Sequence, residues 1–166
     1  MKENRELQGK NKRIKNTAAQ VSAGEAVSGE AGSSAAAATC RQLLREKSMA
    51  AGFTLSERQL EQFSRYYALL IEKNKVMNLT ALTEPEDVVL KHFVDSLYAY
   101  KADLMHNKTL VDVGTGAGFP GLPLKIYDPS LHLVLLDSLT KRLKFLQEVS
   151  DSLASVSYTH LTLPTN

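Results

Sequence analysis

Cysteine is almost absent from this chain of 166 residues: Cys40 stands alone and has no partner for an internal disulfide. No pair of Cys or His residues shows zinc-ligand spacing, so no metal site is assigned. No apolar run approaches the roughly 18 residues that a membrane helix needs. The segment from Met1 to Lys15 is charged throughout and lacks the apolar core of a signal peptide. Neither membrane embedding nor secretion is expected, and a reducing, cytoplasmic setting suits the lone thiol. A strong charge bias is missing too. The formal net charge of +2 does not by itself indicate nucleic-acid binding, although local basic clusters can still do that work. What remains is ordinary for one soluble domain with one main core: 43% hydrophobic and 23% charged residues.

Four segments follow from composition and periodicity. Residues 1–39 are basic at first, then rich in Ala, Gly, Ser and Glu, with almost no large apolar anchor, and are read as a disordered extension. Lys10, Lys12, Arg13 and Lys15 there would form an RNA-touching arm on a functional reading; a solvated tail or an overextended translation start is the plainer account. Residues 40–107 read as a helical subdomain. Arg41 to Ala51 is helical up to a break at Gly52, and Ser56 with Gln59 forms a capping box before Leu60, Phe63, Tyr67, Leu70 and Ile71. Thr83 with Glu86 suggests a second capping box, Pro85 suits a first helical turn, and Val89, Phe93, Leu97 and Tyr100 form the next apolar stripe.

Residues 108–155 change period. Leu110 to Val113 reads as a buried strand entering a glycine cluster, His132 to Leu136 as a second strand ending at Asp137, and Leu139, Leu143, Leu146, Val149 and Leu153 as one face of a helix. Strand, helix, strand, helix opens a parallel α/β sheet. Residues 156–166 lose all charge and do not read as a third strand in register. They resemble the translated read-through of a sequencing adapter, so they are expected to be a non-native tail; a natural C-terminal strand is the alternative.

Chemistry concentrates at the glycines. Gly114, Gly116, Gly118 and Gly121 fall within eight positions, and such a loop brings backbone amides near a ligand that a Cβ would exclude. Gly116 to Gly121 also satisfies G-x-G-x-x-G, which leaves a dinucleotide site open. Asp112 at the strand end would repel pyrophosphate but suits a cofactor bearing an ammonium and a sulfonium, as in S-adenosylmethionine. Asp137 suits ribose hydroxyls in either cofactor; its bland role is to cap the following helix, which Ser138 could also do.

Asn78-Leu79-Thr80, Lys91 to Ser96, Asp112 to Gly121 and Leu136 to Arg142 together resemble the RsmG (GidB) family. The resemblance spans roughly Gln42 to Ala154. It implies a Rossmann-like class I methyltransferase fold behind an N-terminal helical subdomain, and an enzyme using S-adenosylmethionine to methylate N7 of a guanine in 16S ribosomal RNA, naked or in the small ribosomal subunit. By the same resemblance, Gly114 and Phe119 contact cofactor, with Asp137 and Ser138 beside the adenosine end. A fold of this class needs about five further strands, so an incomplete sheet with low or no activity is expected, and a monomer is favoured.

On the RNA side, Asn78, Lys91, His92, Asp95 and Ser96 are the candidates, because His92, Asp95 and Ser96 share one helix face. Alternatively, Lys91 pairs with Asp95 while His92 and Ser96 bond at the boundary between helices and sheet. Lys141, Arg142 and Lys144 either touch phosphates or form a solvated face. No acid–base constellation is needed, since guanine N7 carries a free lone pair at neutral pH. An NAD-binding oxidoreductase and a non-catalytic RNA-binding module remain the alternatives.

Overall fold

The computed structural model describes residues 34–153, 156 and 158–162, and within them a set of helices leads into a parallel sheet. The basic cluster Lys10 to Lys15, with the rest of 1–33 and residues 163–166, lies outside the described residues. Helix α1 covers 34–50. It therefore begins inside the stretch read as a disordered extension. Alanine has the highest helix propensity, and Ala36 and Ala37 also pack against the core. Cys40 and Leu44 are fully buried on the same helix.

Helix α2 runs Glu57–Met77 behind the expected capping box: Gln59 N donates to Ser56 Oγ at 3.3 Å and Ser56 N to Gln59 Oε1 at 2.8 Å. A cap of this kind contributes about 1 kcal/mol. The Gln59 amide also donates to the carbonyls of Ile126 and Tyr127, so the cap of α2 satisfies the end of another helix. Leu60, Phe63, Tyr66, Tyr67 and Leu70 form the buried stripe, while Ile71 is half-buried. Burying each such side chain is worth roughly 1.5–3 kcal/mol.

The second capping box does not form. Pro85 occupies the first helical position of α3 (Pro85–Val88), which makes Glu84 the cap residue and leaves Thr83 one step too early. The helix then widens into a π-helical turn over Val89–Val94 and closes as α4 (Asp95–Tyr98). Its larger turn suits the four-residue spacing of Val89, Phe93 and Leu97, all fully buried. A short helix α5, Ala102–Met105, precedes the sheet.

Strands β1 (Thr109–Val113), β2 (His132–Asp137) and β3 (Tyr158–Thr162) lie in the order β1-β2-β3, both pairings parallel. Asp112 stands opposite Leu135, and Asp137 opposite Thr162. The expectation of no third strand is corrected here: Tyr158 to Thr162 carries β-branched and aromatic residues, and the free edge of β2 pairs with them. Helices α6 (Gly121–Tyr127) and α7 (Thr140–Ser152) connect the strands. They pack against the face carrying Leu133, Leu135 and Asp137, α2 packs on both of them, and one hydrophobic cluster joins helices and sheet. Among the described residues, no helix covers the opposite face. Val111 is 49%, Val113 67% and Leu161 56% exposed, so β1 is not the buried strand expected from its composition. A parallel strand is buried on both faces only where helices cover both.

Leu143, Leu146 and Val149 line the inner side of α7 as expected, and Leu153 is buried as its C-terminal cap. Leu139 instead sits at its cap position, partly exposed, because the helix begins at Thr140. No helix among the described residues is long and apolar enough to cross a membrane.

Candidate functional site

The glycine loop leaves the C-terminal end of β1 and is tied at each step to its surroundings. Gly114 N and Thr115 N donate to Leu136 O, Gly116 N to Asp137 Oδ2 at 2.9 Å, and Gly118 N and Phe119 N to Thr115 O. Asp112 Oδ2 closes the loop across its base, accepting from Thr115 Oγ1 at 2.8 Å and from Gly121 N at 3.0 Å. Most of the loop's amides thus point inward. Burial raises the Asp112 carboxyl above the usual carboxylate range, against the two donors that lower it; the nearby Asp137 also raises it.

Two glycines have a steric reason. Gly118 has φ +104°, and a Cβ there would lie 2.5 Å from Tyr66 Oη and 2.8 Å from Leu146 Cδ2. A Cβ on Gly121 would lie 2.7 Å from Asp112 Oδ2 and 2.9 Å from Leu135 Cδ2. Both positions exclude any side chain unless their neighbours move.

Phe119 lies between two rings. His92 stacks on it at 4.4 Å between centroids and 10° between planes; Tyr66 stacks at 5.5 Å and 20°. His92 comes from the π-helical turn, a feature that recurs at functional sites. Thr80 holds it, with 2.8 Å between His92 Nε2 and Thr80 Oγ1, while Asn74 Oδ1 accepts from Thr80 N. Burial lowers the His92 pKa, and the charge of Asp95 opposes that.

Lys91, Asp95 and Ser96 share the helical stretch of His92, and Asn78 ends α2. Asn78 is exposed as the left-handed cap of α2, and Asp95 is exposed at the start of α4. Lys91 pairs with Asp87 at 2.5 Å, so the Lys91–Asp95 pair is corrected: Asp87 lies one turn toward the N-terminus and captures the ammonium. Ser96 is buried and donates to the His92 carbonyl at 2.5 Å. Among these five, His92 stacks on a ring of the loop.

Asp137 is 1% exposed. Its Oδ2 accepts from Gly116 N and, at 3.4 Å, from Arg142 Nη1; its Oδ1 accepts from Leu139 N at 2.8 Å. It therefore braces the turn before α7 rather than capping that helix, whose cap position is Leu139, and exposed Ser138 makes no cap either. Arg142 is engaged by this contact, while Lys141 and Lys144 are exposed. No group of three or more His, Cys, Asp or Glu residues able to hold a metal occurs among the described residues.

Thr80 and Thr115 belong to this site and lie within the quoted motifs without being singled out there, whereas Tyr66 lies outside every motif. Tyr66 falls in the helical spacing of α2, between Phe63 and Leu70, which marks it as buried; nothing in the sequence says that its hydroxyl meets the loop.

A family model described as GidB, rRNA small subunit methyltransferase G, matches residues 59–162, more than half of the chain. A protein named Ribosomal RNA small subunit methyltransferase G from Leuconostoc citreum (strain KM20) is 56% identical over 115 residues, covering 66% of this chain and 48% of the relative. Those of the same name from Alkaliphilus metalliredigens (strain QYMF) and Bacillus velezensis (strain FZB42) are 46% identical over 123 residues and 55% over 103. The former alignment covers 72% of this chain and 52% of the relative, the latter 61% and 43%. The chain spans about half the length of the curated relatives it matches.

Proposed function

Because the chain belongs to the rRNA small subunit methyltransferase G family, we propose that it carries the loop-bearing part of an S-adenosylmethionine-dependent methyltransferase acting on N7 of a guanine in 16S ribosomal RNA. The observation that carries this reading is Asp112. Its carboxylate closes the base of the glycine loop with Oδ2 bonded to Thr115 and Gly121, while Oδ1 has no hydrogen bond from the described residues. A carboxylate there favours a cationic group and opposes pyrophosphate. The inward-turned amides of Gly114, Thr115, Gly116, Gly118 and Phe119 weaken the dinucleotide alternative further, because a pyrophosphate site presents such amides to its ligand.

Asp112, Gly114, Gly116, Gly118 and Phe119 would border the cofactor, with Asp137 and Ser138 toward its adenosine end. S-adenosylmethionine, when bound, supplies an electrophilic methyl group. The chain's own contribution is alignment: guanine N7 attacks with its own lone pair, so orientation counts for more than proton removal. His92, committed to Thr80 and to the face of Phe119, fits a wall of the site better than a free base. Asn78, Lys91 and Asp95 are the exposed candidates for RNA contact, in naked 16S rRNA or the small ribosomal subunit, in a bacterial cytoplasm.

Calorimetry with S-adenosylhomocysteine and with NADH tests the cofactor; binding of NADH alone sinks the reading. Methyl transfer to small subunits from a strain lacking the enzyme, by the chain extended to the full length of its relatives, tests the substrate, and the expected product is 7-methylguanine in 16S rRNA.

A further inference from the structure

We propose that Tyr66 is a positioning residue of the cofactor loop, its hydroxyl locking the Ala117–Gly118 peptide in the orientation that receives the ligand. The proposal rests on the adenosylmethionine reading above and names a residue outside the glycine motif. Tyr66 is fully buried on α2, and its hydroxyl donates to the Ala117 carbonyl at 2.5 Å. A buried tyrosine requires some partner for its hydroxyl. The choice of partner is what matters here.

Ala117 lies between Gly116 at φ +61° and Gly118 at φ +104°. Without a Cβ on either side, the intervening peptide planes can flip at small steric cost. The Ala117–Gly118 plane is held at both ends: Tyr66 takes the carbonyl, and Thr115 O accepts the Gly118 amide at 2.9 Å. Thr115 is held in turn by Asp112. Tyr66 also stacks on Phe119, so one side chain controls a carbonyl and a ring of the same loop. A Cβ on Gly118 would lie 2.5 Å from Tyr66 Oη, so the hydroxyl reaches the loop only where residue 118 is glycine.

Adjacent Tyr67 supplies the control, because its hydroxyl also bonds from α2 to a backbone carbonyl, that of Thr83 at 3.1 Å, away from the loop. The test uses the full chain unchanged, as Tyr66→Phe and as Tyr67→Phe. Titration with S-adenosylhomocysteine is expected to show binding weakened about tenfold in Tyr66→Phe, the equivalent of one lost hydrogen bond, and unchanged in Tyr67→Phe. Equal affinity in all three, or equal loss in both variants, overturns the positioning role. If the unchanged chain binds nothing, the cofactor reading fails instead, and amide hydrogen exchange decides the inference: Gly118 and Phe119 exchange faster in Tyr66→Phe than in Tyr67→Phe, and identical rates overturn it. Should Tyr66→Phe not fold, the unchanged chain decides. Its Gly118 and Phe119 amides are expected to be as protected as Leu70 in α2, and exchange at unstructured-chain rates overturns the proposal.

Discussion

Asp112 Oδ2 accepts the Gly121 amide at 3.0 Å, and the same oxygen stands 2.7 Å from where a Cβ on Gly121 would be. The end of β1 and the start of α6 are thus joined at a spacing that only glycine permits. Gly121→Ala forces the carboxylate and the side chains of Leu135 and Leu133 to shift, an overpacking cost of about 1–3 kcal/mol. Urea unfolding is expected to show that loss. An alanine variant as stable as the unchanged chain would mean that the contact is not tight.

Asp112→Asn separates stability from binding. The amide oxygen can still accept from Thr115 and Gly121, but the charge is gone. Because burial raises the carboxyl's folded-state pKa, its contribution to stability is fully present below the unfolded value of about 3.9 and is lost as pH rises through the folded value. At pH 7 the variant is expected to be at least as stable as the unchanged chain, yet to bind S-adenosylhomocysteine about tenfold or more weakly. Undiminished affinity would remove Asp112 from the cofactor site.

A second carboxylate, Asp128, has the opposite sign. Burial alone would raise its pKa, but donors from Ser130, Tyr100 and His106 outweigh burial and hold it well below the carboxylate range, while Tyr100 is pushed up to about 12. Its stabilising effect is present above the unfolded pKa of about 3.9 and is lost as pH falls from there through the folded value. The unchanged chain is therefore expected to lose stability on acidification from pH 5 to pH 2, and Asp128→Asn to lose less over that range. Parallel acid curves in urea unfolding would contradict this.

His92 is expected to titrate below about 6.5, its ordinary value, since burial lowers its pKa. The neutral ring's contribution is present above that value and is lost as pH falls through the folded pKa, so the Phe119 stack should loosen on acidification. Proton NMR of the two rings reads both events; a His92 midpoint at or above 6.5 contradicts the expectation.

The open sheet face bearing Val111, Val113 and Leu161 is a contiguous apolar surface. Self-association rising with concentration is expected in sedimentation, and reduced in Val113→Lys. No difference between the two would show that the face does not associate.

The helical stripe of α2, the first capping box, both predicted strands, the glycine turn and its flanking acids were legible because each is local. They depend on residue type at a period of two or 3.6, or on a turn that needs glycine. The failures share a reason as well. Thr83 matched a cap pattern, but Pro85 set the helix start; Lys91 had two acids within reach, and the backbone placed Asp87 closer. Tyr158 to Thr162 carries β-branched and aromatic residues, but only the free edge of β2 gave it a register and made it a strand.

Asp112 and Asp137 were visible in the sequence as the acids of a cofactor turn. Which backbone amides they hold was not, since those bonds join residues 9 and 21 positions apart. The stack of His92, Phe119 and Tyr66 is likewise a product of α2, the π-helical turn and the loop meeting in one core. Sequence alone determined the turn and its charge, because local sterics and residue type dictate both. Tertiary structure alone decided what grips that turn, because the gripping groups come from elements whose only link is the shared hydrophobic core.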